Sequence, residues 1–329
     1  MDEMREVKLL TIVIPVYKVE LYINKCLDSL IVTPELMEKI DVLIINDGTP
    51  DRSAELSREY VNRFPGIFRQ IDKENAGHGS VWNLGLKEAR GKYTRFLDSD
   101  DWLENLDRLI KDLENCDADL VLTPTLCHCA NDELWKLEIK DMEFGKVYNA
   151  ESFDWLHNRS HKNYVLHHSC TYKTEILRQY LPLFLEKQPY DDMILSPAAI
   201  IGAESLVAYD FVVYHYLMDR EGQSISKSVQ NRNIEAKTKS QQAVIDFVES
   251  HPVPSGSSKE AYFHSRLPKM YSFGYKEYLN LPHKEAKKRT EAWNNWTIRR
   301  NPSVQTKWIR LYRTLPFGVY RIIGRLINR

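Results

Sequence analysis

Short apolar runs separated by segments of helical spacing make up the first hundred residues. The runs cover residues 9–16, 42–45, 67–71 and 93–97, and their hydrophobic residues are mostly consecutive rather than at alternate positions. Between them, apolar residues recur every three or four positions, as Ile23, Cys26 and Leu27 do. Strands that are apolar throughout are typical of a parallel sheet covered by helices on both faces. The pattern therefore predicts an α/β fold built from β-α-β units.

The rest of the chain has a less regular pattern. Residues 119–123 form a fifth apolar run, and residues 125–225 mix short strands with helices. From about residue 231 onward the spacing is mostly helical. Gly91 follows the helical segment 80–90, and we expect it to end that helix with a positive φ.

Three carboxylates follow the run at 93–97 directly. Asp98, Asp100 and Asp101 would repel one another and lose hydration unless a cation lay between them. Carboxylate oxygens suit Mg²⁺ or Mn²⁺, and ligands of parallel sheets bind at the carboxyl ends of the strands. The sequence therefore predicts a metal–diphosphate site. The alternative is a helix N-cap, with Asp100 or Asp101 opening a helix from Trp102.

Composition and charge narrow the class of protein. The 329 residues are 43% hydrophobic and 28% charged, which is ordinary for a soluble globular protein of one large or two smaller domains. The charged N-terminus and the lack of a long apolar run predict neither a signal peptide nor a membrane span. Five scattered cysteines favour the cytoplasm, and Cys127-x-Cys129 lacks a partner pair for zinc. Glycine-rich signatures of dehydrogenases and P-loop NTPases are missing after the first strand.

Three motifs resemble family-2 inverting glycosyltransferases of the GT-A fold, of the bacterial surface-polysaccharide type. They are Thr-Ile-Val-Ile-Pro-Val-Tyr at 11–17, Ile-Ile-Asn-Asp-Gly-Thr-Pro-Asp at 44–51 and Phe-Leu-Asp-Ser-Asp-Asp at 96–101. The resemblance covers about residues 8–105. It implies a GT-A-type, mostly parallel sheet with helices on both faces, to which the pattern adds a C-terminal helical extension. We expect a nucleotide-sugar-binding half at 1–103, an acceptor-binding half at 104–230 and a helical region at 231–329.

The resemblance also implies how a nucleotide-sugar donor, expected to be a UDP-sugar, is bound. Asp47 would accept hydrogen bonds from the base, Asp98 would lie near the ribose and metal, and Asp100 would hold Mn²⁺ or Mg²⁺. The remaining expected donor-binding residues are Pro15, Val16 and Tyr17 around the base, Gly77, His78 and Ser99 near the sheet edge, and Arg220 and Ser224 in a loop over the diphosphate. Arg220 and its neighbours could equally be a solvated turn.

The segment Tyr190-Asp191-Asp192 stands where the family carries its base. Asp192 would remove a proton from the acceptor hydroxyl during an inverting attack, with Asp191 beside it. A helix start at this pair is the alternative. Where much of the family has Ala-Arg-Asn, this chain has Val81-Trp82-Asn83, so the identity of the donor nucleotide is left open. We expect Trp82 to be packed in the core. Whether His78, His167, His168 or His215 take part is also left open.

The C-terminal segment has a charge of its own. Residues 299–329 contain eight Lys or Arg and no Asp or Glu, whereas the remainder carries 37 basic and 46 acidic residues. At helical spacing, the apolar and the basic residues of the segment's last part fall on different sides. The apolar residues are Val319, Tyr320, Ile323, Leu326 and Ile327, and the basic residues are Arg321, Arg325 and Arg329. The pattern predicts an amphipathic helix on the anionic inner face of the cell membrane, which fits a lipid-linked or glycan acceptor. Nucleic-acid binding is not expected, and a helix packed on the protein is the alternative.

Two other functions are compatible with carboxylates at a parallel sheet. A sugar nucleotidyltransferase would use Mg²⁺ there, but it normally carries a glycine-rich basic loop after its first strand, where this chain has Pro15-Val16-Tyr17. A non-catalytic nucleotide-sugar-binding partner of another transferase would not need the set Asp98, Asp100 and Asp192. We therefore expect a glycosyltransferase.

Overall fold

A central eight-stranded sheet and a smaller four-stranded sheet form the β-structure of the protein. The structure is a computed structural model and describes residues 8–129, 133–156, 165–218 and 233–328. The strands are β1 Lys8–Val16, β2 Ile40–Asn46, β3 Phe68–Asp72, β4 Gly91–Phe96, β5 Trp102–Leu103, β6 Leu120–Leu122, β7 Thr125–His128, β8 Leu134–Leu137, β9 Tyr148–Asn149, β10 Cys170–Lys173, β11 Ser205–Ala208 and β12 Tyr214–Leu217. The large sheet has the order β3-β2-β1-β4-β10-β6-β11-β9, and the small sheet has the order β5-β12-β7-β8.

Helices pack on both faces of the large sheet and continue beyond it. The α-helices are α1 Ile23–Asp28, α2 Pro34–Met37, α3 Ser53–Arg63, α4 His78–Glu88, α5 Leu106–Glu114, α6 Thr174–Arg178, α7 Leu195–Gly202, α8 Ile234–Ser250, α9 Ser258–Tyr271, α10 Phe273–Glu277, α11 His283–Arg300, α12 Lys307–Thr314 and α13 Phe317–Ile327. Short 3-10 helices cover His167–Ser169, Asp191–Ile194 and Tyr278–Asn280.

The first four strands confirm the predicted parallel sheet. β1 pairs in parallel with β2 and β4, and β2 pairs in parallel with β3. Successive residues of β1 enter two different cores: Val13 packs in one with Trp82, while Ile12 and Ile14 pack in the other with Leu109. Because each face is buried, most residues of the strand are apolar. This is the α/β fold expected from the sequence.

The segment after the aspartates differs from the expectation. Trp102–Leu103 is not the start of a helix but a short strand that pairs with β12, and α5 begins only at Leu106. Asp100 and Asp101 therefore do not cap a helix, and the capping alternative is wrong.

Gly91 does not have the conformation expected of a helix terminus. It is the first residue of β4, and its φ is not among the positive values of the chain. A Cβ at this position would lie 2.4 Å from the backbone nitrogen of Thr11. Glycine is needed there because two strands approach closely, not because the helix before it ends in a left-handed turn.

The C-terminal helices share a core of aromatic side chains. Tyr271, Tyr275, Trp293 and Tyr320 are all at most 2% exposed within it. Helix α8 also contributes to the core of the central sheet, so the helices are packed onto the rest of the protein. The division at residues 103 and 230 stays a prediction. Across the described residues, no helix has both the length and the hydrophobicity to cross a bilayer.

The last helix, α13, packs on the protein, and two of its arginines take part in the contact. Tyr320 is buried and donates a hydrogen bond to the carbonyl of Tyr275. Arg321 and Arg325 each donate from Nε to the carbonyl of Leu279, at 3.0 Å in both cases. These two arginines hold the helix in place because they satisfy a carbonyl at the end of a neighbouring turn. They are therefore not part of a free basic face.

Candidate active site

A cavity of about 800 Å³ opens at the carboxyl ends of β1, β2 and β4. The sequence-predicted site residues that line it are Pro15, Val16, Tyr17, Asp47, Gly77, His78, Asp98, Ser99, Asp100, Asp191 and Asp192. Arg220 and Ser224 lie outside the described residues. The size and place of the cavity are typical of small-molecule sites in α/β proteins. The fold thus brings together residues that are up to 177 positions apart in the sequence.

The three aspartates after β4 have different surroundings. Asp98 and Asp100 line the cavity, whereas Asp101 is 1% exposed. Asp101 accepts hydrogen bonds from the Tyr214 hydroxyl at 2.6 Å and from the Leu217 amide at 2.8 Å. Burial, together with the charges of Asp100 and Asp98, raises the pKa of Asp101 well above its usual range. Asp101 therefore anchors β12 to the site, whereas Asp98 and Asp100 line the cavity.

Asp98 lies between two histidines. His78 Nε2 is 3.3 Å from Asp98 Oδ1, and His167 Nε2 is 3.2 Å from Asp98 Oδ2. Burial alone would raise the pKa of Asp98, but the hydrogen bonds from His167 and His78 hold it well below its usual range. Asp98 is therefore an ionised, oriented carboxylate at the centre of the cavity.

His78 connects Asp98 to the aspartate pair on the opposite side of the cavity. Its Nδ1 lies 3.0 Å from Asp191 Oδ2. Burial opposes protonation of this ring, but Asp191 and Asp98 raise the pKa of His78 well above its usual value. The ring lies on Trp82, one helical turn further along α4, with centroids 4.1 Å apart. Trp82 is fully buried, as expected, and its contact restricts the position of the imidazole.

Asp191 and Asp192 have unequal roles in the structure. Asp191 is 4% exposed and is bound to His78. Asp192 is half-buried, lines the cavity and has no hydrogen-bond partner among the described residues. Burial raises the pKa of Asp192, and the nearby charge of Asp191 adds to this against the opposing effect of His167. Of the pair, Asp192 is the carboxylate that remains available to a ligand.

Asp47 organises the loop before α4. Its Oδ1 accepts from Lys73 Nζ at 2.6 Å and from the Ala76 amide at 2.9 Å, and its Oδ2 accepts from the Gly77 amide at 2.8 Å. Asp47 also lines the cavity. The carboxylate is therefore a structural part of the site, and a contact with the base stays a prediction.

Two glycines allow this loop to meet the segment that precedes the aspartate pair. Gly77 has a φ of +85°, and a Cβ there would lie 3.1 Å from the Lys187 amide nitrogen. A Cβ on Gly79 would lie 2.1 Å from the Leu185 carbonyl oxygen and 3.0 Å from Asp191 Oδ2. Only glycine fits at such distances. The close approach is what places His78 against Asp191.

His215 does not belong to the cavity. Its Nε2 lies 2.8 Å from Glu104 Oε2, and its Nδ1 lies 2.8 Å from His128 Nε2. The ring also stacks on Trp102 with centroids 5.1 Å apart. Both ring nitrogens of His215 thus face partners outside the cavity.

One end of the cavity was not found from the sequence. Its residues are mostly apolar: Trp135, Leu137, Leu166, Met193, Tyr216 and Met218. They come from the small sheet and from loops around the aspartate pair, where the strands have only two to four residues. Strands this short give no clear periodicity, so no sequence signal identified them. His167 and His168, which the sequence left open, also line the cavity.

The comparison with protein families decides the class of protein. The model described as glycosyl transferase family 2 matches residues 11–181, which is more than half of the chain. The chain belongs to glycosyl transferase family 2. The family match begins in β1 and includes all three motifs on which the resemblance was based.

Curated relatives match parts of the chain. The uncharacterized glycosyltransferase EpsJ of Bacillus subtilis is 38% identical over 117 residues, which are 35% of this chain and 33% of EpsJ. The minor teichoic acid biosynthesis protein GgaB of the same organism is 37% identical over 91 residues, which are 28% of this chain and 10% of GgaB. The chain thus matches about a third of the length of EpsJ and a tenth of that of GgaB.

Solved structures extend the similarity of fold to nearly the whole chain. Residues 1–349 of S. aureus TarS superpose with a TM-score of 0.67 at 17% identity, covering 96% of this chain and 88% of the other. The same TarS segment has a structure in complex with UDP-GlcNAc, with a TM-score of 0.56. The mannosyltransferase PcManGT of Pyrobaculum calidifontis, in complex with GDP-Man and Mn²⁺, has a TM-score of 0.54 at 14% identity and covers 98% of this chain. The C-terminal helices are thus part of a known arrangement.

Proposed function

We propose that the protein is an inverting, metal-dependent glycosyltransferase. It moves a sugar from a nucleotide-sugar donor, most simply a UDP-sugar, to a hydroxyl group of a glycan or lipid-linked acceptor during synthesis of a cell-surface polysaccharide. The observation that carries this function is one cavity lined by Asp98 and Asp100 and also by Asp192, whose carboxylate has no hydrogen-bond partner within the described part of the chain. The family, the TarS complex with UDP-GlcNAc and the printed role of GgaB in teichoic acid biosynthesis support it.

The donor would lie along the sheet edge. Pro15, Val16 and the half-exposed Tyr17 offer apolar surface to the base, and Asn75 lines the same end of the cavity. Asp47 fixes the loop that carries the Gly77 amide and His78. The protonated ring of His78 would place a positive charge beside the diphosphate. Arg220 and Ser224 are proposed to close over it.

The donor set fits a divalent cation. The lowered pKa of Asp98 keeps its carboxylate ionised, and Asp100, two residues along the chain, lines the same cavity. Carboxylate oxygens of both residues are therefore offered to one ligand. Carboxylates in this arrangement suit Mn²⁺ or Mg²⁺, which commonly bind together with phosphate oxygens. When bound, the cation would neutralise charge that develops on the leaving nucleoside diphosphate. PcManGT with GDP-Man and Mn²⁺ supports this choice of ion.

Asp192 would act on the acceptor. Its carboxylate lines the same cavity as Asp98 and has no hydrogen-bond partner among the described residues. A carboxylate with a raised pKa can take the proton from a sugar hydroxyl as that hydroxyl attacks the anomeric carbon. Attack from the face opposite the diphosphate inverts the configuration. The apolar end of the cavity, with Trp135, would hold the acceptor ring.

Analysis of the products tests this function directly. We expect incubation with α-linked UDP-sugars and Mn²⁺ to release UDP and, where water replaces the acceptor, a sugar that appears first as the β-anomer. Proton NMR recorded during turnover distinguishes the two anomers before they equilibrate. Release of a sugar 1-phosphate with UMP would identify a nucleotide-cleaving enzyme instead. Binding of UDP-sugars without turnover in the presence of acceptor extracts would favour a non-catalytic partner.

We also propose that α13 attaches the enzyme to an anionic membrane surface. Its outward face is apolar: Val319 is 43% exposed, Ile322 64% and Leu326 66%. The nearby Lys307 and Arg310 are exposed, and residues 299–329 contain no acidic residue. An apolar face within a purely basic segment matches a bilayer that contains anionic lipids. The buried contacts of Tyr320 hold that face outward.

The double substitution Ile322→Ser with Leu326→Ser should release the protein from anionic liposomes. Full burial of one such side chain contributes about 1.5–3 kcal/mol, so we expect at least a tenfold loss of partitioning, measured by co-sedimentation. High salt should weaken binding of the unchanged protein. Truncation of the tail is a poorer test because it removes Tyr320 from the aromatic core. Val147→Ser, at a site 58% exposed elsewhere, is the control, and equal partitioning of all three proteins would contradict the proposal.

A further inference from the structure

Two adjacent histidines lie beside the carboxylate at the centre of the cavity. His167 and His168 form the 3-10 turn before β10 and are 5% and 9% exposed. One nitrogen of each ring and one carboxylate oxygen of Asp98 lie within 4.8 Å of one another. Two imidazoles and a carboxylate are a donor set that proteins use for transition metals.

His168 has a buried nitrogen that nothing in the described part of the chain explains. Its Nδ1 is buried without a hydrogen-bond partner there. Leaving such a buried atom unpaired is unfavourable, so it is expected to have a partner in the working protein. The ring cannot turn away easily, because it packs against Tyr214 and Tyr216 with centroids 5.0 and 4.4 Å apart. The unpaired nitrogen is a second, independent indication of a ligand.

The spacing of the donor atoms suits a shared ion. Two ligands at right angles, each about 2.1 Å from a metal, lie about 3.0 Å apart. His167 Nε2 and Asp98 Oδ2 are 3.2 Å apart. An ion could therefore replace this hydrogen bond with little movement. The supporting backbone is fixed, since β10 pairs with β4 and the His168 carbonyl accepts from Arg95 at 2.6 Å.

We propose that Asp98, His167 and His168 bind a divalent transition metal and make the site select Mn²⁺, Co²⁺ or Zn²⁺ over Mg²⁺. Imidazole nitrogen suits these ions, whereas Mg²⁺ prefers oxygen ligands and retained water. With Asp98 and Asp100 alone, the site would accept Mg²⁺ as readily as Mn²⁺. The role of the ion at a donor diphosphate rests on the proposed function, but its binding to the three residues does not.

Titration calorimetry of the metal-free, full-length protein without nucleotide tests the inference. We expect Mn²⁺ to bind at least about tenfold more tightly than Mg²⁺. His167→Ala and His168→Ala should each lower the Mn²⁺ affinity by about 10- to 100-fold and leave the Mg²⁺ affinity nearly unchanged. Visible absorption of bound Co²⁺ gives a second readout, since its bands should shift when a nitrogen ligand is lost.

Control variants separate ligation from folding. His128→Ala makes the same change in a histidine that contacts His215 and not the cavity, and it should keep the preference for Mn²⁺. His167→Gln retains a polar group beside Asp98 and serves if the alanine variant does not fold. The inference is overturned if the unchanged protein binds Mn²⁺ and Mg²⁺ equally well. It is also overturned if the preference for Mn²⁺ survives both in the His167 variant that folds and in His168→Ala. Failure of the glycosyltransferase assignment would appear in the product analysis and leave these affinities unchanged.

Discussion

Asp192→Asn should retain donor binding and slow sugar transfer by about 10² to 10⁴-fold. The Asp192 carboxylate lines the cavity, is half-buried and has no partner among the described residues, so it is free to receive a proton. Asparagine has nearly the same shape but cannot act as a base. Turnover of the donor measures the loss, and calorimetry with UDP-sugar checks that binding is unchanged.

Two comparison variants sharpen this result. Asp191→Asn changes the partner of His78 rather than the base, so its effect should include weaker donor binding. Asp117→Asn alters a carboxylate whose side chain is 92% exposed and should leave turnover unchanged. An active Asp192→Asn beside an Asp191→Asn that binds donor normally but is inactive would mean that the base is the other member of the pair.

The pH dependence of turnover should follow the same residue. Burial raises the pKa of Asp192 above its ordinary value, and only its ionised form accepts a proton. Activity should therefore fall as the pH drops through this raised pKa, at a higher pH than for an exposed aspartate. In Asp192→Asn the residual activity should lose this acid limb.

The parallel sheet and the donor side of the cavity could be predicted because their signals are local. Most residues of β1 and β2 are apolar, which follows from burial on both faces, and Asp47 and Asp98 lie within two residues of strand ends. Chain order alone places such residues at one edge of a parallel sheet. Three motifs over about 90 residues then sufficed to indicate the family that the comparison confirms.

The far side of the cavity depends on contacts that no local pattern records. His78 and Asp191 are 113 positions apart, and their contact requires Gly79 to pass within reach of Leu185. β5 has two residues and β12 has four, too few for a periodic pattern. Asp101 looks like a metal ligand in the sequence, but its hydrogen bond from Tyr214 makes it structural.

The orientation of the last helix, α13, could not be predicted from the sequence. Helical spacing separates apolar from basic residues in α13 but does not say which set packs inward. Arg321 and Arg325 lie against the protein because the Leu279 carbonyl needs donors, and Ile322 and Leu326 are consequently exposed. The sequence contains no signal for a carbonyl that lies 42 positions away.

Asp100→Ala should abolish metal-dependent donor binding while leaving the fold intact. Asp100 lines the cavity beside Asp98, and its removal takes one oxygen ligand and one negative charge away from the cation that bridges to the diphosphate. Without the cation, the diphosphate would face the negative charge of Asp98. We expect affinity for UDP-sugar to fall by at least about 100-fold, which is the scale of losing about 2.7 kcal/mol. Asp117→Ala, on the surface, is the matched control for the loss of one carboxylate.

Calorimetric titration of UDP-sugar and UDP into the unchanged protein and Asp100→Ala, each with Mn²⁺ and with EDTA, is the most direct test of a metal-bridged donor site. We predict tight binding only for the unchanged protein with Mn²⁺, and weak binding in the other three combinations. Thermal unfolding should show the same midpoint for both proteins without ligand. Undiminished binding in EDTA, or Mn²⁺-dependent binding that persists in Asp100→Ala, would contradict the assignment of Asp98 and Asp100 as the site of the cation.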